Sequence, residues 1–281
     1  MDTFPQGPPP WSDAPGTLPP PVLPPSPPPP PPPGEAHARP VRWGLGDVAV
    51  GIGLFFAVQL FFGAGLVAFI IAVGGELAVD DSAGDPSNLL LLLVSAPLSW
   101  AVLIGWPWWV SRRKGTGRMS ADFGLAMRWT DLLLGVAGGV LALVVSASLA
   151  VAYSAVFGGD APTNTDIISG ESQSLVTIVV LFVVIAVGTP IAEEIFFRGL
   201  VLGAARKRWG TAVGIAFSSL LFGAFHIQAD LVSWAFVGAV TALYGVVFAL
   251  LRVWSNGRIA ASIVAHMVVN AMAIIVVVLT G

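Results

Sequence analysis

The sequence contains no cysteine in 281 residues. That excludes disulfides, thiolate zinc sites and a thiol nucleophile, and it leaves the redox compartment open. Charge is scarce as well. Asp, Glu, Lys and Arg make up 10% of the chain, against about 25% in soluble domains. The few basic residues fall in short loops, which excludes a nucleic-acid surface. The zinc-protease pattern H-E-x-x-H is absent. No serine is clearly paired with a base, and Ser218 and Ser219 read as small helix-packing residues. No apolar stretch follows a basic start near Met1, so the beginning of the chain does not read as a signal peptide.

What is present is hydrocarbon. A hydrophobic content of 56% and a mean hydropathy of +0.84 identify an integral membrane protein. Residues 1–40 differ: they are proline-rich, with an unbroken run from Pro27 to Pro33. Proline fixes φ and lacks the amide donor, so this stretch is expected to be a disordered cytoplasmic tail. It reads as a solvated spacer or as a ligand for a proline-recognising partner, and His37 within it as a bystander. Residues 41–281 predict an all-α polytopic membrane domain of about seven transmembrane helices, over about 46–74, 89–110, 132–157, 175–205, 211–228, 231–251 and 259–280.

Of thirteen Lys and Arg, twelve fall in loops on one side of this pattern: Arg39, Arg42, Arg112, Arg113, Lys114, Arg118, Arg128, Arg206, Lys207, Arg208, Arg252 and Arg258. The opposite loops carry Glu76, Asp80, Asp81, Asp85, Asp160, Asp166, Glu171 and Asp230. The positive-inside rule then places the N-terminus in the cytoplasm and the C-terminus outside, in the plasma membrane. Trp106, Trp108 and Trp109 beside Arg112 and Arg113 read as an interfacial belt. The mixed stretch from Ser120 to Asp131 reads as a short amphipathic piece at the inner interface.

The remaining basic residue, Arg198, lies inside hydrocarbon together with Glu193 and Glu194. Ionisable groups there are costly and are functional candidates by default. Two further polar pairs follow, Phe222-x-x-x-His226 and His266-x-x-x-Asn270. At a rise of 1.5 Å per residue, Glu193 lies about 20 Å from Arg206, His226 about 22 Å from Thr211 and Asn270 about 18 Å from Arg258. All three depths fit one layer of a hydrocarbon core about 30 Å thick. Pro190 is expected to kink the helix beside the glutamates. Glu194 and Arg198, four apart, can form an intrahelical ion pair, which leaves Glu193 about 100° round the helix without an obvious partner.

A carboxylate in a dry cavity can act as a general base on water, and histidines with an asparagine can bind a metal or hold an oxyanion. Glu193 or Glu194, with His226 and His266, would suit a catalytic zinc with an open position, Glu193 being the first candidate. A metal-free version, with Glu193 activating water, fits the same residues.

In order and on successive helices, Glu193-Glu194-x-x-x-Arg198, Phe222-x-x-x-His226 and His266-x-x-x-Asn270 resemble the three motifs of the CPBP intramembrane protease family, which includes type II CAAX prenyl proteases and Abi proteins linked to bacteriocin immunity. The resemblance covers about residues 175–275. It implies a membrane-embedded endopeptidase acting on a membrane-bound, in some cases lipidated, peptide or protein. It implies Glu193 as the base, His226 and His266 as ligands or electrostatic stabilisers, Asn270 at the oxyanion, and Glu194 and Arg198 in support. Two other readings remain: a catalytically silent scaffold or immunity-like protein, and a proton-coupled transporter, for which no internal repeat is apparent.

Overall fold

The computed structural model describes residues 41–72, 86–164, 174–226, 228 and 230–280. The proline-rich tail with His37 and Arg39, and the loop acids Glu76, Asp80, Asp81, Asp85, Asp166 and Glu171, lie outside the described residues.

Helices follow wherever hydrocarbon was continuous: α1 (Leu45–Ala72), α2 (Pro86–Lys114), α3 (Met119–Phe123), α4 (Trp129–Phe157), α5 (Leu175–Trp209), α6 (Thr211–Ala224), α7 (Leu231–Trp254) and α8 (Ala260–Thr280). No strand occurs among the described residues. In hydrocarbon every backbone group must be satisfied within its own segment, which selects helices. Six of them, α1, α2, α4, α5, α7 and α8, are long and apolar enough to cross a membrane. The fifth expected span, α6, has only 14 residues, a rise of about 21 Å. It stops at Ala224, so His226 stands just beyond its end rather than on it.

The basic-loop ends are tied by ion pairs. Lys114 Nζ lies 2.6 Å from Asp47 Oδ1, joining α2 to the start of α1. Arg258 donates from Nε and Nη2 to Asp131 at 2.8 and 2.7 Å, joining α4 to the approach of α8. The hydrogen bond to Asp131 raises the Arg258 guanidinium above its ordinary value. Short α3 does turn one apolar side inward: Phe123 is buried against Trp43 and covers Gly199. Of the tryptophan trio, Trp108 and Trp109 are exposed, and Arg112 lies over the Trp108 ring. Trp106 instead stacks on Trp109 and donates from Nε1 to the Asp47 carbonyl at 2.7 Å. Arg252, expected in a loop, is in the last turn of α7 and is buried. It donates from Nη1 to the Gly199 carbonyl at 3.2 Å and from Nε to the Gly257 carbonyl at 3.3 Å.

The helix that carries His266 is held by close approach. Gly135 and Gly139 of α4 face α8. A methyl group at Gly135 would fall 2.5 Å from Val264 Cβ, and one at Gly139 2.7 Å from Val268 Cβ. Small residues four apart let two membrane helices meet backbone to side chain, where packing rather than water provides the attraction. In α6, Gly223 meets the Gly238 carbonyl of α7 in the same way.

Candidate active site

The centre of α5 is not a regular α-helix. Two wider turns, Phe182–Gly188 and Ile195–Val201, flank the six residues Thr189–Glu194. In the first, Thr189 N–H reaches the Val184 carbonyl, five residues back; in the second, Leu202 N–H reaches Phe197 in the same register. Such turns are rare and concentrate at functional positions. Pro190 lies in the first turn of Thr189–Glu194, so the chain absorbs it through a widened turn before it. Three of the carbonyls in this region take side-chain donors from neighbouring helices: Ile185 from Asn270 at 2.8 Å, Phe197 from Ser218 at 3.1 Å, and Gly199 from Arg252. Ser218 therefore supplies a hydrogen bond as well as a small volume. Trp100 of α2 packs against Gly188 and donates from Nε1 to Thr189 Oγ1 at 3.3 Å.

The expected Glu194–Arg198 pair forms. Nη1 lies 2.9 Å from Oε1, and both side chains are fully buried. Arg198 also lies over the rings of Phe222 and Phe248, its Cζ 4.2 and 5.2 Å from their centroids. A guanidinium over ring faces is stabilised electrostatically where water is excluded.

His266 lies between the two glutamates. Its Nδ1 is 3.1 Å from Glu194 Oε1, and its Nε2 is 3.7 Å from Glu193 Oε2. A carboxylate accepts, so Nδ1 donates to Glu194. The 3.7 Å gap to Glu193 exceeds a hydrogen bond. Glu193 Oε2 thus faces His266 across α5 and α8 without a hydrogen bond, and the Glu193 side chain is 19% exposed while Glu194 is sealed. The His266 ring stacks on Phe248 at 5.0 Å and meets the edge of Phe222 at 5.6 Å.

His226 reaches the same aromatic wall from the other side, 5.0 Å from Phe222. Its Nδ1 donates to the Phe222 carbonyl at 2.9 Å, since a carbonyl can only accept, and Nε2 is left with its lone pair. His226, His266, Asn270 and Phe222 line one cavity of about 650 Å³ between α4, α7 and α8. Its walls are apolar (Leu143, Val237, Val240, Met272, Ala273), with Tyr244 and Thr241 as further polar groups, and Asp160–Asn164 lie at its rim.

The structure therefore brings Glu193, Glu194, Arg198 and His266 into one contact network. Asn270 sits beside it, on the Ile185 carbonyl. His226 joins them through the cavity and the Phe222 ring. Among the described residues no three His, Asp or Glu side chains are grouped so as to hold a metal ion. Both His266 nitrogens already face carboxylates. As arranged, these residues do not make the zinc site that the spacing allowed.

Residues 175–272 match the family model described as type II CAAX prenyl endopeptidase Rce1-like. Over that stretch, about a third of the chain, the sequence is similar to the Rce1-like family. The Rce1-like segment begins at the start of α5 and ends within α8, so it contains every residue of the network just described. No curated protein and no solved structure matches the chain. Outside the Rce1-like segment, α4 adds Gly135 and Gly139 behind His266, and α2 adds Trp100 behind Thr189. Within it, the sequence reading missed Phe248, which faces both His266 and Arg198 and looks from sequence like any apolar residue of α7.

Proposed function

We propose that this protein is an intramembrane endopeptidase that hydrolyses a peptide bond of a membrane-bound protein or peptide, lipidated substrates included. The observation that carries this reading is His266, which lines an apolar cavity and is held between Glu194 and Glu193. Glu194, neutralised by Arg198, fixes the imidazole with Nδ1–H inward. That leaves Nε2 and the Glu193 carboxylate facing each other, and a water can hydrogen-bond both.

The chemistry then needs no covalent intermediate. Glu193 takes a proton from water as the oxygen attacks the scissile carbonyl carbon, and the carbonyl electrons move onto its oxygen. His226, protonated at Nε2 as an imidazolium, donates to that oxyanion, while His266 Nε2 stays on the attacking water. When the tetrahedral species collapses, the C–N bond breaks and Glu193 returns the proton to the leaving nitrogen. The protein sits in the plasma membrane with its basic loops cytoplasmic, and the cavity rim at Asp160–Asn164 faces the opposite side.

The test is cleavage of membrane-tethered peptides, prenylated and unmodified, by detergent-purified protein, with and without chelator. Wild type is compared with Glu193→Ala and His226→Ala. Cleavage that is lost in both variants and insensitive to chelator supports the metal-free reading. Loss on chelation restores zinc to the mechanism. A cellular phenotype that persists in Glu193→Ala would replace the enzyme by a scaffold.

A further inference from the structure

Pro190 leaves one carbonyl of α5 without its helical donor. In the widened turn, Thr189 N–H bonds the Val184 carbonyl, five residues back. The next bond in that register would run from residue 190 to the Ile185 carbonyl, and proline has no N–H. A carbonyl stranded in hydrocarbon is costly. Asn270 of α8 supplies the missing donor, its Nδ2 lying 2.8 Å from the Ile185 carbonyl oxygen. Asn270 is four residues beyond His266, so one face of α8 presents both the imidazole between the glutamates and the replacement for the proline's absent hydrogen.

We propose that Asn270 is a positioning residue that closes the hydrogen-bond gap at Pro190 and so sets the rotation of Thr189–Glu194, which carries both glutamates, against His266. This replaces the direct oxyanion role that the family resemblance implies. The reason is one of register. Without Asn270, the Ile185 carbonyl is satisfied by drawing Thr189 N–H back to it in the ordinary four-residue register. That removes the widened turn and swings every later residue, Glu193 included, about the helix axis. The protein stays helical but loses the facing arrangement of Glu193 and His266.

The proposal rests on the endopeptidase reading only for its activity arm, and a proline makes it directly testable. Pro190→Ala restores an N–H that can reach the Ile185 carbonyl. Asn270→Ala, Pro190→Ala and the double variant are compared with wild type in detergent by thermal unfolding. Asn270→Ala lowers Tm by about 2–4 °C, the shift for a hydrogen bond of this kind in a chain of this size. In the Pro190→Ala background the same change costs less than half as much. A second readout uses the absence of cysteine: Glu193→Cys is labelled with a small maleimide in each background. Asn270→Ala alters the labelling rate severalfold, and adding Pro190→Ala returns it. On any peptide the wild type cleaves, Asn270→Ala lowers kcat by roughly 10²-fold, the scale of a misplaced reacting group, with KM unchanged, and Pro190→Ala recovers most of it. Equal Tm losses in both backgrounds, or an unchanged labelling rate, would overturn the proposal. So would a rescue of Tm and labelling with cleavage still absent, which would make Asn270 a group that touches the reacting atoms. If wild type cleaves nothing, the endopeptidase reading fails, while Tm and labelling still decide the role of Asn270.

Discussion

His266 Nδ1 donates to Glu194 Oε1 across 3.1 Å, joining α8 to α5 inside the hydrocarbon. This one bond determines which imidazole nitrogen is left to face Glu193. It also makes Glu194 answerable to two partners at once, because Arg198 holds the same oxygen at 2.9 Å.

Breaking that shared carboxylate is expected to be costly. Arg198→Met leaves Glu194 buried with no cation, and should destabilise by about 3–5 kcal/mol. The double variant Arg198→Met with Glu194→Leu, which removes both charges, should recover much of the loss. Thermal unfolding of the purified variants checks this, and equal stability of single and double variants would contradict it.

Glu193 differs in having no cation to neutralise. Glu193→Gln should leave Tm nearly unchanged while reducing cleavage by about 10²–10⁴-fold, the usual contribution of a general base. A variant that cleaves normally would remove Glu193 from the mechanism.

The contact between α4 and α8 has no slack at its glycines. Gly139→Val forces branched methyls into Val268 and the Ala265 carbonyl. Overpacking of this kind costs about 1–3 kcal/mol, and the displaced α8 should carry activity down with stability. Gly53→Val, where no atom lies within 4 Å, is the control and should change neither.

Filling the cavity separates binding from chemistry. Ala273→Trp places an indole in the space shared by His226, His266 and Asn270. It should lower kcat/KM at least about tenfold, equivalent to 1.4 kcal/mol, with Tm held or raised. Unimpaired turnover would mean that the substrate enters by another route.

Sidedness can be read directly in a chain without cysteines. In intact cells, an impermeant maleimide should label Asn164→Cys and leave Arg208→Cys unlabelled until the membrane is opened. The reverse pattern would invert the proposed orientation.

The sequence exposed the polar network because hydrocarbon makes such residues conspicuous. Glu193, Glu194 and Arg198 stand out in α5, and the four-residue spacings of Glu194–Arg198 and His266–Asn270 gave the shared faces correctly. The group that Glu193 faces was not legible, since the rotation that turns it toward His266 depends on two widened turns that no spacing rule predicts. Asn270 was read by its chemistry and not by its neighbour, because only the register at Thr189 shows that Ile185 lacks a donor. Arg252 was misread as a loop charge because helix ends drawn from apolar runs stop too early. α7 continues to Trp254 and buries that guanidinium on backbone carbonyls. Gly135 and Gly139 were readable as a four-residue small pair, a signal that overall hydrophobicity obscured.

Short α6 has a consequence for water supply. Hydrolysis consumes one water for every bond cut, and a full-length helix beside His226 would seal it behind hydrocarbon. Fourteen residues fall about 9 Å short of a core about 30 Å thick, and Phe225 and His226 follow outside the helix. Non-helical backbone at membrane depth is tolerated where it is buried in protein or lines a water-filled cavity, and His226 lines the cavity. On the proposed endopeptidase reading, the water consumed would arrive through that cavity, where the short helix ends beside His226.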